Sequence, residues 1–484
     1  MSLYSLISKH SQSSLTFLRE LDGTSVTYQE FFHEVDKLSE ELLSAAGPAE
    51  IVVIDSPKSI GSVVVAFASI KSGLGYCFID PALPAQRKQN IITAVNPALT
   101  YEQQGDRPII KPVSDSRASS KRKFSGGLVF TSGSTGTPKG VLNSYEALTA
   151  YVDSMLDIMP CPAGTQWLSI CPAHFDVFQL DFLVQSARGA CVVIAPHNLL
   201  PQQYIKILSD ENITEFLSIS TLLKMFVDGA GSSQVPSVVK LYYGGEGCSV
   251  SVLDKISPIF PNASFCQFYG PTENCNNSTF FKFNLPYSTK TGFMPLGHPI
   301  KNVKITLRNE DGEVAAPNQS GQICISGQQL LSGYLDVDNG HVIPQHTIEY
   351  ESGDYGHLDT NGLLWFEGRK DDIVKVNGNR VSLAEINAEL SKVLGATSTV
   401  ATIVVDQKGY STIVSGYASD SSISEFDVYR ELTKSLPRYA LPKRIFSIEK
   451  NEVRVLSTGK TDLKQFKALL EGKLNVKEDF YEQN

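Results

Sequence analysis

The stretch IVVIDSPKSIGSVVVAFASIKSGLGYCFID, residues 51–80, decides the fold class of this chain. Its two ends, 51–55 and 75–80, are short apolar runs rich in β-branched residues, as is typical of buried strands. The segment 62–73 between them has a helix-like pattern. This alternation of strand and helix predicts a parallel sheet layered with helices, and therefore an α/β architecture.

The same alternation of predicted strands and helices continues along most of the chain. Further buried strands, each preceded by a helical segment, are predicted at 190–196, 214–220 and 240–245. The polar, basic segment from Gln103 to Gly127 reads as a surface connector that leads into strand GLVF, residues 127–130. After Leu296 the predicted strands are shorter, alternate between apolar and polar residues and are accompanied by turn residues. They lie at 304–314, 321–327 and 362–369, and they predict a β-rich subdomain.

A change from an apolar strand to a charged segment at residues 368–372 predicts a domain boundary. The strand GLLWFEGR runs there into the charged tetrapeptide Arg-Lys-Asp-Asp. We therefore predict a large N-terminal domain, residues 1–368, of layered α/β subdomains plus the β-rich subdomain, and a small α+β C-terminal domain, residues 369–484. The elements predicted in the small domain are strands at 373–378, 399–405 and 412–417, a helix at 383–394 and a final helix after Thr461.

Composition excludes several classes of function. The 484 residues are 42% hydrophobic and 19% charged, as in soluble globular proteins. A net charge of −9 disfavours binding to nucleic acid or to anionic membranes. The eight cysteines form no CxxC pair, the N-terminus has no signal-peptide pattern, and the apolar stretch 60–79 is interrupted at Lys71. These features predict a cytoplasmic, monomeric enzyme without a membrane or nucleic-acid partner.

The strongest chemical signal is a loop that directly follows strand 127–130. It reads Thr131-Ser132-Gly133-Ser134-Thr135-Gly136-Thr137-Pro138-Lys139-Gly140. Its glycines allow the backbone to approach phosphate oxygens closely, its hydroxyls offer hydrogen bonds, and Lys139 supplies a cation. The spacing matches neither the P-loop of NTPases nor the Rossmann fingerprint. Alone, such a loop is as often a flexible turn as a phosphate site.

Other motifs in the chain favour the interpretation of this loop as a phosphate site. They are IKSGLGYCFIDP at 70–81, Pro172-Ala173-His174-Phe175-Asp176, YGGEGCS at 243–249, FYGPTE at 268–273, ESGD at 351–354, GRKDDIVKVNGNRVSLAEIN at 368–387 and STGK at 457–460. In this order, over about residues 25–465, the sequence resembles the adenylate-forming superfamily. It is most similar to the amino-acid-activating adenylation domains of nonribosomal peptide synthetases and to D-alanine:carrier protein ligases.

The resemblance implies an ATP site and residues that act on the reacting phosphate. Lys460, Thr131, Lys139 and Thr272 are the implied catalytic residues, and Lys460 would stabilise the negative charge that builds up when a carboxylate attacks the α-phosphate. Glu273 would bind Mg²⁺, an ion that prefers one or two carboxylates with phosphate oxygens. The remaining nucleotide contacts implied are Ser132, Gly133, Ser134, Thr135, Gly136, Gly244, Gly245, Glu246, Tyr269, Gly270, Asp354 and Arg369. Within this set Tyr269 would stack on adenine, and Asp354 would accept the ribose hydroxyls.

The resemblance also implies the class of acid. Asp176 occupies the position at which amino-acid-activating relatives pair an aspartate with the substrate ammonium, whereas a fatty or aryl acid would leave that carboxylate unpaired at high cost. The pocket lining implied by the motifs is Asp176, Val177, Leu180, Leu217, Leu241, Tyr243, Phe268, Asn276 and Asn277. Its mixed character leaves the substrate open.

A second half-reaction and its partner follow from the same resemblance. The small domain of the family is mobile and swings about a hinge, for which Asp371 is the matching position. The acyl group would pass to the phosphopantetheine thiol of a separate peptidyl carrier protein, because no carrier motif follows Lys460. Two alternatives stay open: an acyl-CoA ligase with CoA as acceptor, and a non-catalytic nucleotide-binding regulator. The run Asn143-Ser144-Tyr145 replaces a histidine that is common downstream of the family's phosphate loop.

Overall fold

A computed structural model of the chain describes residues 1–104, 107–112, 123–131, 139–196, 199–245, 247–287, 289, 294–337, 341–345, 348–369, 373–376, 378–394, 398–405, 411–418, 424–449, 452–453, 465–470 and 472–473. The chain divides into two compact units. The first comprises Met1–Pro81, Ile91–Thr131 and Lys139–Lys370, and the second comprises Ala82–Asn90 together with the C-terminal residues from 371 onward.

The strands of the first unit are Thr16–Glu20 (β1), Ser25–Thr27 (β2), Ile51–Asp55 (β3), Gly75–Phe78 (β4), Leu99–Gln104 (β5), Arg107–Pro112 (β6), Gly126–Thr131 (β7), Lys139–Ser144 (β8), Gln166–Ser169 (β9), Cys191–Ile194 (β10), Glu215–Ile219 (β11), Lys240–Gly244 (β12), Ser264–Tyr269 (β13), Thr279–Phe283 (β14), His298–Pro299 (β15), Val303–Arg308 (β16), Gly321–Gly327 (β17), Gly333–Asp336 (β18), Val342–Pro344 (β19), Glu349–Leu358 (β20) and Leu364–Arg369 (β21).

The helices up to residue 256 are Leu3–Ile7 (α1), Tyr28–Ala45 (α2), Ile60–Lys71 (α3), Ala85–Val95 (α4), Tyr145–Ile158 (α5), Gln185–Arg188 (α6), Pro201–Asp210 (α7), Ser220–Gly229 (α8) and Val250–Ile256 (α9). A π-helical segment, Gln179–Val184, runs directly into α6, and Thr272–Asn274 forms a 3₁₀ turn after β13. Among the described residues, no helix has both the length and the apolar character needed to cross a membrane.

Two large sheets form the core of the first unit. One has the strand order β15-β14-β13-β12-β11-β9-β10-β1-β2, and its centre from β1 to β13 is parallel. The other has the order β19-β18-β8-β7-β4-β3-β5-β6, in which β3 pairs parallel with β4 and with β5. The sequence of residues 51–80 forms β3, α3 and β4 as predicted, because its apolar residues are buried on strand and helix alike.

The predicted β-rich part is also present, as an antiparallel sheet in the order β16-β17-β20-β21. The predicted surface connector is corrected at one point: within residues 103–127, Arg107–Pro112 forms strand β6 and pairs antiparallel with β5. β6 is the last strand of its sheet, where proline is tolerated because one edge of the strand needs no ladder partner. The general polarity of the segment concealed this edge strand.

The second unit has its own small core. Its strands are Ile373–Val376 (β22), Asn379–Ser382 (β23), Ser398–Val405 (β24), Ser411–Ala418 (β25) and Arg444–Ile448 (β26), and its helices are Leu383–Leu394 (α10) and Glu425–Leu432 (α11). Ile386, Leu390, Tyr417 and Val428 are buried together in one cluster. The helix predicted after Thr461 is described at 465–470 and 472–473. Together the two units confirm the mixed α/β fold class.

Candidate active site

The base of the predicted phosphate loop is a β-hairpin. β7 and β8 pair antiparallel, and Thr131 lies directly opposite Lys139. The predicted phosphate ligands between them, Ser132, Gly133, Ser134, Thr135 and Gly136, lie outside the described residues. The pairing therefore brings the two described ends of the loop together.

Tyr334 connects Lys139 to Glu273. Nζ of Lys139 lies 5.6 Å from the centre of the Tyr334 ring, and the Tyr334 hydroxyl donates to Oε1 of Glu273 at 3.3 Å. Glu273 is only 2% exposed, so this bond orients a buried carboxylate at the position predicted for magnesium. No motif surrounds Tyr334, so the sequence did not predict it; the pairing of β18 with β8 brings it here.

The donor set fits a magnesium ion that is shared with phosphate. Such ions are held by one or two carboxylates, with phosphate oxygens and waters completing the octahedron. Within the described ranges, no group of three His, Cys, Asp or Glu side chains could hold a metal by itself. The single carboxylate of Glu273, linked to the Lys139 cation through Tyr334, matches an ion that binds together with a nucleotide.

Asp354 lies at the centre of the predicted ribose site. The Tyr269 hydroxyl donates to its Oδ2 at 2.7 Å, and Nη1 of Arg369 donates to its Oδ1 at 2.6 Å. Asp354 faces Arg369 directly across β20 and β21. Burial and the nearby Asp354 charge raise the pKa of Tyr269 well above its usual value, so Tyr269 stays a hydrogen-bond donor. The structure thus brings three predicted nucleotide residues into one network.

A hydrogen bond joins the predicted phosphate site to the predicted amine site. The Thr272 hydroxyl donates to Oδ2 of Asp176 at 2.5 Å. Gly270 precedes this turn, and a Cβ atom at Gly270 would lie 2.3 Å from the carbonyl oxygen of Asn276, so only glycine allows the two chain segments to approach this closely. Asn143, noted in the sequence only as part of the run that replaces a histidine, is buried and donates from Nδ2 to the Thr272 carbonyl oxygen at 3.2 Å, a contact that the sequence did not predict.

Of the glycines predicted on the adenine side, Gly244 ends β12 and Gly245 follows it, at the same sheet edge as Gly270, because β12 and β13 run parallel. A Cβ at Gly244 would meet the Phe268 carbonyl oxygen at 2.9 Å, and Gly245 has a φ of +79°. Both positions therefore favour glycine. Glu246, Asp371 and Lys460 lie outside the described residues.

The pocket lining needs one correction. Leu180, Leu217 and Phe268 belong to the cluster on one face of the large parallel sheet, and Val177 packs against that cluster. Leu241 and Tyr243 belong to the cluster on the opposite face. Side chains alternate along a strand, so Tyr242 between them is the residue of β12 that reaches the pocket face. Its ring stacks on Phe268 at 5.4 Å.

The two predicted pocket amides are held in a strained turn. Cys275 and Asn276 have φ angles of +56° and +86°, which are uncommon for residues with a side chain. Asn277 is 4% exposed and donates from Nδ2 to the hydroxyl of Tyr151 at 3.0 Å. Tyr151, on α5, was not predicted as a pocket residue, because α5 lies about 120 positions before the asparagines and no motif marks it.

A buried charge network supports the segment that carries Asp176. Lys58 donates to the carbonyl oxygens of Ser169 and Cys171 at 2.8 and 2.9 Å, and to the Ser169 hydroxyl at 2.9 Å. That hydroxyl donates to Oδ2 of Asp181 at 2.6 Å, and Nε1 of Trp167 donates to Oδ1 at 2.8 Å. Burial raises the pKa of Asp181 to about 6 and lowers the pKa of Lys58 to about 8.

We expect Trp167 fluorescence to report the titration of Asp181. In a Trp365→Phe background, emission should change with a midpoint near pH 6, because protonation changes the acceptor of the indole N–H. The raised pKa also means that the stability contributed by Asp181 is present at acidic pH and is lost as pH rises through about 6.

Asp181→Asn is the matched control, and the titration near pH 6 should vanish in it. A midpoint near pH 4, or an unchanged titration in the variant, would show that burial does not raise the pKa of Asp181 in this network.

Comparison with known proteins connects this site to a family. The family model described as AMP-binding enzyme matches residues 9–126 and 126–335. Surfactin synthase subunit 3 of Bacillus subtilis is 26% identical over 471 residues, which cover 91% of this chain and 36% of that protein. The chain thus spans only about a third of the length of this relative, and 41% of the phosphinothricin tripeptide synthetase PhsB of Streptomyces viridochromogenes.

Two solved structures share the fold. The adenylation domain AlmE of Vibrio cholerae, in complex with glycyl-adenosine-5′-phosphate, has a TM-score of 0.82 and 20% identity, with 98% of this chain and 97% of that chain covered. The o-succinylbenzoate CoA synthetase MenE of Bacillus subtilis has a TM-score of 0.79 and 18% identity, with 96% and 98% covered.

The chain belongs to the AMP-binding enzyme family, because the family model matches more than half of it. It is therefore a member of a family of adenylate-forming ligases, and the resemblance predicted from the motifs is confirmed.

Proposed function

We propose that this chain activates an amino acid with ATP and passes the aminoacyl group to a thiol. The products of the first step would be an aminoacyl-adenylate and pyrophosphate. The acceptor in the second step would be the phosphopantetheine arm of a separate peptidyl carrier protein. The observation that supports the proposal is the 2.5 Å hydrogen bond from Thr272 to Asp176, because it joins the residue proposed to contact the α-phosphate to the carboxylate proposed to pair with the ammonium.

In the first step, a carboxylate oxygen of the amino acid attacks the α-phosphorus of ATP, and the bond to the bridging oxygen of pyrophosphate breaks. Asp176 pairs with the substrate ammonium and so fixes the carboxylate near Thr272. Lys139 and Lys460 stabilise the negative charge that accumulates on the phosphates. A magnesium ion beside Glu273 would neutralise phosphate charge when bound.

The nucleotide is oriented by the network around Asp354. This carboxylate is buried and is already aligned by Tyr269 and Arg369, so accepting the two ribose hydroxyls requires little reorganisation. Gly244, Gly245 and the Tyr269 ring form the proposed adenine side. Because Tyr269 is fixed by its bond to Asp354, the adenine and ribose contacts are expected to act together.

In the second step, the thiol sulfur attacks the acyl carbon, the thiol loses its proton, and AMP leaves with the electron pair of the acyl–oxygen bond. We propose that residues 369–484 form a mobile domain that pivots at Asp371 between the steps, so that Lys460 acts only in the first. That the chain is similar to a subunit of surfactin synthase, and that its fold is shared by AlmE with a bound glycyl-adenylate, supports an amino acid as substrate.

One alternative keeps the first step and changes the acceptor. The similarity of fold to MenE, a CoA synthetase, makes CoA the second candidate thiol. Asp176 favours the amino acid over simple carboxylic acids but does not discriminate between a carrier arm and CoA, since both end in the same thiol. A nucleotide-binding regulator is disfavoured, because it has no use for Asp176 and Glu273 beside the same turn.

Pyrophosphate exchange into ATP tests the first step. We expect exchange with an amino acid, and we expect Lys460→Ala to lower its rate by about 30- to 900-fold, from a loss of about 2 to 4 kcal/mol of transition-state stabilisation. Lys473→Ala is the matched control, since Lys473 forms a surface ion pair with Glu452 at 3.1 Å. Exchange only with carboxylic acids that lack an amine would overturn the amino-acid assignment. ATP binding without any exchange would favour the nucleotide-binding regulator.

A further inference from the structure

The far end of the proposed amino-acid pocket contains two hydrogen-bond donors without acceptors in the described structure. Tyr151 is fully buried, and its oxygen accepts from Asn277, but its own proton is donated to no described protein atom. Nδ2 of Asn276 is buried beside the Tyr151 hydroxyl and makes no hydrogen bond of normal geometry to the described residues. Buried polar groups are normally paired, so two unpaired donors in one pocket indicate a ligand that supplies acceptors.

These donors and Asp176 face the same space. Burial raises the pKa of Tyr151 well above its usual value, the negative charge of Asp176 adds to this, and the amides of Asn277 and Asn276 oppose it. The two amides therefore lie beside the Tyr151 hydroxyl, and the charge of Asp176 acts on the same hydroxyl. Asp176 would hold the ammonium, which leaves Tyr151 and Asn276 to meet the side chain of the substrate.

The donors are held in place by the protein. Sγ of Cys275 donates to the carbonyl oxygen of Gln329 at 3.3 Å, and Nδ2 of Asn274 donates to the Ser278 hydroxyl at 2.9 Å. These bonds fix the turn that carries Asn276 in its left-handed conformation. Since the turn is anchored on both sides, Asn276 cannot easily rotate away to find another partner.

The charge around the donors restricts the class of side chain. Among the described residues, Asp176 is the one carboxylate whose charge acts on Tyr151, and no described lysine, arginine or histidine acts on it. A carboxylate side chain would be repelled by Asp176 and would lack a counter-ion. A neutral oxygen, as in a hydroxyl or a carboxamide, fits two neutral donors.

The apolar walls restrict the length of the side chain. Leu180 and Phe268 are 0% and 2% exposed. Phe268 is held between Tyr242 and Phe280, each with ring centres 5.4 Å away. Displacing such packed rings costs energy, so the pocket admits a short side chain better than a long one.

We propose that the amino acid activated here has a short, uncharged side chain that ends in an oxygen, and that Tyr151 and Asn276 donate hydrogen bonds to this oxygen. This inference rests on the proposed function, since it takes Asp176 as the partner of the ammonium. Sites built to hydrogen-bond a substrate group reject analogues that lack it strongly, by about 10⁴- to 10⁵-fold in favourable cases.

Binding of stable aminoacyl-sulfamoyl adenosines tests the proposal without requiring turnover. Two pairs of analogues have side chains of nearly the same shape, and only one member of each pair has a side-chain oxygen. The pairs are seryl with 2-aminobutyryl, and asparaginyl with leucyl. We expect the polar member of at least one pair to bind about a hundredfold or more tighter by calorimetry. We expect Tyr151→Phe to reduce that ratio to about tenfold or less, because the hydroxyl is lost while the ring remains.

Tyr145→Phe is the matched control on the same helix. Its buried hydroxyl donates to the carbonyl oxygen of Leu74, away from the pocket, so the variant should lose stability but keep the binding ratio. The proposal is overturned if the apolar members bind as tightly as the polar ones, if Tyr151→Phe leaves the ratio unchanged, or if an aspartyl analogue binds more tightly than the asparaginyl analogue.

A further probe separates this inference from the proposed function. The seryl analogue without its α-amine should bind much more weakly than the seryl analogue itself if Asp176 pairs with the ammonium. Equal binding of these two probes would overturn the amino-acid function, and the inference with it. If the seryl analogue binds more tightly than its counterpart without the amine, but the polar members of the pairs bind no more tightly than the apolar ones, only the inference is overturned.

Discussion

Replacing Asp176 with asparagine is expected to lower kcat/KM for the amino acid by about a thousandfold, equal to about 4 kcal/mol. The variant keeps the shape of the side chain and an oxygen that can accept from Thr272. It removes the negative charge that pairs with the ammonium, and breaking a partly desolvated charge pair typically costs about 2 to 5 kcal/mol. The KM for ATP should change little, because the ribose network around Asp354 is untouched.

The matched control is Asp153→Asn, which removes a carboxylate that pairs with Lys301 at 2.8 Å on the protein surface. It should leave kcat/KM within about twofold, because exposed ion pairs contribute little. Substrates without an amine should lose none of their activity in Asp176→Asn. If the variant activates the amino acid as well as the wild type does, the ammonium is bound elsewhere.

Replacing Glu215 with glutamine is expected to destabilise the first unit by about 3 to 5 kcal/mol. Arg188 and Glu215 form an ion pair at 2.9 Å with side chains only 0% and 1% exposed. The guanidinium also donates to the carbonyl oxygen of Met159 and to Oε1 of Gln185, at 2.9 and 2.6 Å. Loss of the carboxylate would leave a buried cation without its counter-charge.

Urea unfolding followed by Trp167 fluorescence measures this effect, since Trp167 lies in the adjacent strand β9. Asp210→Asn, which breaks the exposed pair with Lys206 on α7, is the control and should cost less than about 1 kcal/mol. An equal shift of the unfolding midpoint in both variants would mean that burial adds nothing to the Arg188–Glu215 pair.

Motifs predicted the nucleotide site better than the pocket. Asp354, Arg369 and Tyr269 were each predicted from a local string, and the structure joins them in one network. Such strings identify residues reliably because the residues lie within strands or at their last positions, and the hydrophobic pattern predicts strands well. Tyr334 and Tyr151 carry no such string, and Asn143 was noted only as part of a departure from the family pattern. Their contacts arise from strand pairing and helix packing between segments far apart in sequence.

The error at Leu241 and Tyr243 has a specific physical cause. β12 is a central strand of a parallel sheet, and both of its faces are buried. Its sequence LYYG is therefore apolar throughout and gives no alternation from which the pocket face could be read. Tyr242 was identified only in the structure, from the clusters on the two faces of the sheet and from its stacking on Phe268. The edge strand β6 was missed for the opposite reason, since it lies in a polar segment.

The central claim is that a carboxylate of the substrate attacks the α-phosphate, and transfer of oxygen isotope tests it most directly. An amino acid labelled with ¹⁸O in its carboxylate should yield AMP that carries one ¹⁸O atom after the acyl group has passed to a thiol. Mass spectrometry of the nucleotide measures this. Labelled AMP with unlabelled pyrophosphate is the predicted result, and formation of ADP, or of AMP without label, would contradict the account.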